Sequence, residues 1–285
     1  MRSLLLLPMI VLWAASCQPK KEILVTNPPT LELTWETDTL MTTSESVIYD
    51  ESNNVLYVSN INGAPDGKDG NGFISKISLD GTLVTHKWIE GMDAPKGMGL
   101  YGGKLYVTDI NRLHEIDIAT GKIAKTYPVE GASFLNDITV DAKGNVYISD
   151  MDTHEILLFA NGTVSKWLTG QTAPNGLLAE GNTLWMALWN DKTLNRIDIA
   201  TQAVTLKSDS IENPDGIEAV GDGGYLVSSW NGMVTYVSTE GKNTVLLDTR
   251  ADSVSAADIE YIASKNLLLV PTFFKNTVRA YTLKN

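Results

Sequence analysis

The sequence predicts an all-β fold, a six-bladed β-propeller with four short strands per blade, on three observations. A motif returns six times at a steady interval, a second apolar strand follows each copy, and the last copy runs out of chain while an early strand is left unclaimed. The motif reads SESVIYD at 44, APKGMGL at 94, LNDITVD at 135, APNGLLA at 173, NPDGIEAV at 213 and AADIEYI at 256. Aligned on their first polar residues, Glu45, Lys96, Asn136, Asn175, Asp215 and Asp258 recur at intervals of 51, 40, 39, 40 and 43 residues. Units of about forty residues with four strands each are propeller blades. The Trp-Asp signatures of seven-bladed repeats are absent, which favours six blades.

Taken in order, the chain opens with MRSLLLLPMIVLWAASC. Arg2, an apolar run from Leu4 to Trp13 and small residues before Cys17 read as an export signal over residues 1–16. The run is well short of the roughly twenty residues a spanning helix needs. A-A-S-C resembles a bacterial lipobox, so Cys17 is the expected lipidation site and membrane anchor. Because Cys17 is the only cysteine, a disulfide within one chain is excluded. Residues 17–30 suit a tether, with three prolines and two lysines and little periodicity. The propeller is expected over 31–285.

LELTWETDTL, residues 31–40, precedes the first blade and belongs to none of the others. Blade 1 pairs SESVIYD with VLYVSNI, then carries a Gly-rich loop, GKDGNGFIS. That loop resembles part of an EF-hand but lacks its acidic ends and its preceding helix, and it is read as an overhanging lid. Blades 2 to 5 continue with KLYVTDI, NVYISDM, TLWMALW and GYLVSSW as second strands; blade 3 shows third and fourth strands in EILLFA and TVSKWLT. Blade 6 uses LLLVPTF and then VRAYTL, which ends at Leu283. Its missing outer strand is expected to be residues 31–40, closing the ring without a covalent bond.

Without residues 1–16 the chain has 21 basic and 34 acidic residues, a net of −13. That balance repels nucleic acid and anionic membrane. No G-x-S-x-G, paired zinc-spaced histidines or phosphate-binding Gly-rich loop is present, which argues against a serine hydrolase, a zinc protease and a nucleotide enzyme. Of the three histidines, His86 and His114 fall in strands and His154 in a loop.

First strands of propeller blades line the central channel, so the polar residues heading them converge on one mouth. Two carboxylates, Glu45 and Asp215, and two amides, Asn136 and Asn175, meeting there require a partner. Oxygen ligands select a hard cation, Ca²⁺ first, with Mg²⁺, Mn²⁺ or Zn²⁺ as alternatives. Lys96 in the same ring either pairs with Glu45 and Asp258 and weakens that affinity, or holds an anionic substrate. Trp189, Trp230, Phe273 and Phe274 end second strands and are placed either as an aromatic rim at this mouth or as packing between blades.

These motifs resemble the senescence marker protein, gluconolactonase and luciferin-regenerating enzyme-like family of six-bladed propellers over about residues 31–283. The resemblance implies Glu45, Asn175 and Asp215 as metal ligands, Asn136 beside the metal in contact with substrate, and Asp215 also as the catalytic base. Ser46, Tyr49 and Ile138 depart from the family pattern. The implied activity is divalent-metal-dependent hydrolysis of a lactone or related ester by a lipid-anchored monomer on the periplasmic or outer-membrane face. The alternative is a non-catalytic ligand- or partner-binding propeller with a metal-free ring.

Overall fold

The computed structural model describes residues 29–284. The expected export signal, the expected lipidation site Cys17 and the expected tether up to residue 28 lie outside the described residues. Among those described, no helix is long and apolar enough to cross a membrane.

Six antiparallel four-stranded sheets follow one another along the chain. Their inner strands are Ser44–Asp50, Pro95–Tyr101, Leu135–Val140, Pro174–Glu180, Pro214–Ala219 and the short Glu260–Ile262. In each of the first five blades, three further strands run outward in sequence order. In the sixth, Leu267–Pro271 and Val278–Lys284 follow the inner strand, and Thr30–Glu36 completes the sheet by pairing antiparallel with Val278–Lys284, Thr30 facing Lys284 and Glu36 facing Arg279. The expected closure is therefore present, in a strand that starts at Thr30 and ends at Glu36 instead of running to residue 40.

Burial follows position in the blade. Second strands such as Val146–Asp150 and Thr183–Leu188 are buried throughout, because neighbouring blades cover both faces. Outer strands such as Thr30–Glu36 and Lys122–Pro128 are mostly exposed, each with two half-buried residues four apart. The core is accordingly divided into six apolar clusters, each shared by two adjacent blades, and a seventh of Ile61, Ala94, Ile110, Ala257 and Phe273 that joins blades 1, 2 and 6. Tyr57, Ile74, Met98 and Leu105 join blades 1 and 2, for example.

Close approach of inner strands depends on small residues. A Cβ on Gly176 would lie 1.8 Å from the carbonyl oxygen of Asp215, and one on Gly216 2.5 Å from Oδ1 of Asp258. No side chain fits at either place, so P-N-G and P-D-G are sequence requirements of the channel wall as much as of any chemistry.

Candidate functional site at the channel mouth

Each of the first five inner strands carries an irregularity at the same level. Pairing with the second strand shifts between Ser44 and Val47, Pro95 and Met98, Leu135 and Ile138, Pro174 and Leu177, and Pro214 and Ile217. Bulges re-aim side chains and leave ladder groups unpaired. Here the first residue of each bulged pair is Glu45, Lys96, Asn136, Asn175 or Asp215, and all five line one cavity of about 340 Å³. Each is buried at the cavity floor.

The freed backbone groups are taken up by hydroxyls of the second strands. The N–H of Ser46 donates to Ser59 Oγ at 2.9 Å, that of Asp137 to Ser149 Oγ at 2.9 Å, and that of Gly216 to Ser228 Oγ at 2.8 Å. Thr108 Oγ1 donates to the carbonyl of Asn136 in the next blade. These supports were not identified from the sequence, although YVSN, YISD and LVSS repeat at the right place. Asp109 and Asp150 fasten the loops ahead of Lys96 and Asn136. Asp109 accepts from the N–H groups of Asp93 and Ala94 at 2.9 and 2.7 Å, and Asp150 from those of Ser133 and Phe134 at 2.9 and 3.1 Å.

Asp258 does not belong to this ring, contrary to the alignment on first polar residues. It bridges to Ser46, donates its N–H to the Glu45 carbonyl at 2.9 Å, and meets the Ser46 hydroxyl at 2.6 Å through Oδ2. It is thus level with the second residue of each bulge, and the blade 6 residue in line with Asp215 is the apolar Ala257. Asp258 instead lines a second cavity of about 290 Å³ at the other end of the channel, with Asp137, Glu218 and Glu260. The proposed pairing of Lys96 with Asp258 accordingly has no counterpart: Lys96 Nζ donates to the Ala94 carbonyl at 3.1 Å and lies 4.5 Å from the centre of the Phe134 ring.

The floor holds more negative charge than its hydrogen bonds satisfy. Oε2 of Glu45 and Oδ1 of Asn175 are buried without a hydrogen-bond partner. Burial pushes the Glu45 carboxyl well above the ordinary range, the charges of Asp215 and Asp258 push it further, and Lys96 draws it back. Asp215 is raised by burial and then by Asp258, with the Asn175 side chain lowering it. Burial lowers Lys96 to about 8 against the opposing pull of Glu45, Asp109 and Asp66. Orphaned oxygens next to mutually repelling carboxyls fit a hard cation. The donor set is lean: no cluster of three or more His, Cys, Asp or Glu poised for a metal exists among the described residues, so a third ligand would have to be an amide such as Asn175.

Trp189, Trp230, Phe273 and Phe274 line this same cavity, as does Pro65 just ahead of the Gly-rich loop. The loop acids are partly occupied by the loop itself, Asp69 holding the Asn71 amide at 2.7 Å. The histidines stand apart. His114 is buried between Asp109 at 3.0 Å and Thr126 at 2.9 Å, His86 meets the Leu40 carbonyl at 2.8 Å, and His154 Nδ1 accepts the Ala173 N–H at 3.0 Å.

Fold and cavity together define a six-bladed propeller with a polar-floored axial pocket. No protein-family model matches the chain, and no curated protein matches it in sequence. Solved structures share its fold. A gluconolactonase from Xanthomonas campestris superposes with TM-score 0.68 at 16% identity, over 85% of this chain and 86% of that one. Virginiamycin B lyase from Staphylococcus aureus, solved in an inactive form with quinupristin, gives TM-score 0.64 at 14% identity over 90% and 99%. A nidogen/laminin complex gives 0.58 at 17% identity over 70% and 78%. At such identities the likeness is one of architecture, and enzymes and a binding assembly share it.

Proposed function

We propose that this chain is a divalent-cation-dependent hydrolase of a lactone or related ester, exported and anchored through a lipid on Cys17. Glu45, Asn175 and Asp215 are the cation ligands in this reading, Ca²⁺ being the best match to oxygen donors. The observation that carries it is the pair of buried, partnerless oxygens on Glu45 and Asn175, beside the raised carboxyl of Asp215. A gluconolactonase and a lyase among the proteins of the same fold support an enzymatic reading.

A bound cation would supply Lewis acidity toward a carbonyl oxygen. The chain's own residues do the rest. Asp215 accepts the proton of an attacking water as that water's oxygen bonds to the acyl carbon, and returns it to the departing alkoxide as the ester C–O bond breaks. Asn136 orients the substrate through its amide. Lys96, mostly ammonium at neutral pH with its pKa near 8, holds the carboxylate that ring opening releases.

Purified protein is expected to contain about one equivalent of divalent metal, and chelation is expected to abolish ester or lactone turnover. Asp215→Asn should lower kcat by roughly a hundredfold or more, the scale of losing a general base. Metal-free protein whose melting temperature is indifferent to added calcium would remove the proposal. That result would favour the second reading, a binding propeller whose ring charge is met by Lys96, which the complete burial of that ammonium supports.

A further inference from the structure

Above its polar floor the cavity changes character. Ile61, Phe134 and Met151 form the wall on the side of blades 1 to 3, and four aromatic rings form it on the side of blades 4 to 6. The rings make a continuous chain: Trp189 to Trp230 at 6.4 Å between centres, Trp230 to Phe273 at 5.4 Å and to Phe274 at 5.8 Å, the last two contacts edge-to-face. Phe274 stands at the rim with 64% of its surface in water, touching the fold through edge-to-face contacts with Trp230 and Phe273, a costly placement for a phenyl ring. Trp35 and Trp185 donate their indole N–H groups to Leu79 and Glu180. Those of Trp189 and Trp230 have no protein acceptor among the described residues.

The walls carry no hydroxyl, carboxylate, guanidinium or imidazole. A sugar lactone bears a hydroxyl on nearly every carbon, and entering this cavity would exchange water for ring faces at most of them. Leaving such groups unpaired is strongly unfavourable. An alkyl or aryl group placed there gains the burial that the exposed rings lack. A volume of about 340 Å³ admits one ring with a short substituent and excludes a folded peptide segment.

We propose that the cavity selects ligands with a polar carbonyl end for the floor and an aryl or medium-chain alkyl group for the wall, seated against Trp189, Trp230 and Phe274. Resting on the hydrolase reading for its chemistry, this makes the substrate a lipophilic lactone or ester and disfavours a sugar lactone.

Two readouts test it on the full chain loaded with calcium. In the first, kcat/KM is compared for glucono-δ-lactone and for δ-valerolactone carrying a pentyl or phenyl substituent, which share the reacting ring. The substituted lactone is expected to be favoured by about tenfold or more, the usual worth of a filled apolar pocket. Phe274→Ala, which empties no core, should shrink that ratio several-fold. In the second, a δ-lactam with the same pentyl chain, which resists hydrolysis, should change tryptophan emission saturably and bind more weakly to Phe274→Ala. Equal or better turnover of glucono-δ-lactone overturns the inference while leaving the hydrolase in place. Saturable lactam binding weakened by Phe274→Ala, with no turnover of any ester, upholds the ligand class and discards the hydrolase. No emission change with the lactam counts against the inference directly.

Discussion

A lysine ammonium with 1% of its surface exposed, facing the same cavity as two carboxyls, poses the question of which positive charge the ring is built around. If a dication is bound by Glu45, Asn175 and Asp215, Lys96 opposes it at close range in a medium that screens poorly. Replacing Lys96 with the similarly shaped Met removes that opposition and the desolvation of the ammonium together. Lys96→Met is expected to tighten calcium binding by about tenfold or more, roughly 1.4 kcal/mol, measured by calorimetric titration of chelator-stripped protein. Loss of stability without any gain in calcium affinity would instead identify Lys96 as the ring's own counter-charge. Five of the ring residues were legible in the sequence because each opens a bulge whose polar side chain interrupts an apolar run. Asp258 was misplaced because alignment by polarity ignores register: in AADI the slot belongs to Ala257, and a slip of one residue in a strand reverses the face presented. The Glu218 and Glu260 side chains of the far cavity were not singled out, since in IEAV and IEYI they look like ordinary strand-face carboxylates.

Among the elements, the closing strand Thr30–Glu36 bears the most on the integrity of the ring. Trp35 packs against the cluster shared by blades 6 and 1, its indole N–H donates to the Leu79 carbonyl at 3.0 Å, and Glu36 meets Arg279 at 3.0 Å and Thr277 at 2.8 Å. Opposite Trp35 lies Gly81, where φ is +82° and an added Cβ would come within 2.6 Å of the indole. Trp35→Ala is expected to cost about 2–4 kcal/mol, below the full range for a completely buried Trp because the ring is only half-buried. Gly81→Ala should also destabilise, through the strained φ and the clash. Both are read as lowered midpoints in urea unfolding, and a midpoint unchanged in Trp35→Ala would show that the strand is dispensable for closure. That this strand completes blade 6 could be deduced by counting, since the last copy ended one strand short and one apolar stretch had no blade. Its end at Glu36 could not: residues 37–40 look strand-like, but Thr37 already turns to bond Val278, its N–H to the carbonyl at 3.0 Å and its hydroxyl to the N–H at 2.9 Å. The bulge-supporting serines were hidden for a related reason, because a Ser on a buried strand has no periodic signature until its partner N–H is known to be free.

At the scale of the whole molecule, the channel is a column of acids with one base: Glu45 and Asp215 at one mouth, Asp137, Asp258, Glu218 and Glu260 toward the other, and Lys96. Burial raises Asp258 to about 6 and Glu260 to about 8, and holds Glu218 well above its ordinary value with help from the charges of Glu260 and Asp258. A carboxyl with a raised folded pKa binds more protons in the folded protein than in the unfolded chain between the two pKa values. Stability from these groups is therefore greatest near pH 4 and falls as pH climbs toward about 8. The surface pair Asp117 and Lys104 acts oppositely. Chiefly through the Lys104 hydrogen bond, Asp117 is lowered to about 2, so its contribution is present above about pH 4 and lost as pH falls further. Chelator-treated protein should accordingly show its highest melting temperature near pH 4–5 and a decline through pH 8. Calcium must find its carboxylates deprotonated, so its stabilisation should grow over that same interval and move the maximum toward neutrality. Glu260→Gln removes one proton-binding group from the far cavity, and is expected to flatten the metal-free decline between about pH 5 and 8 while preserving the calcium response. Melting curves from pH 3 to 9, with and without calcium, for the parent and this variant separate the two ends of the channel. A metal-free profile level between pH 5 and 8 would show that solvent reaches these carboxyls freely, and that the axial column is not the electrostatic centre of the molecule.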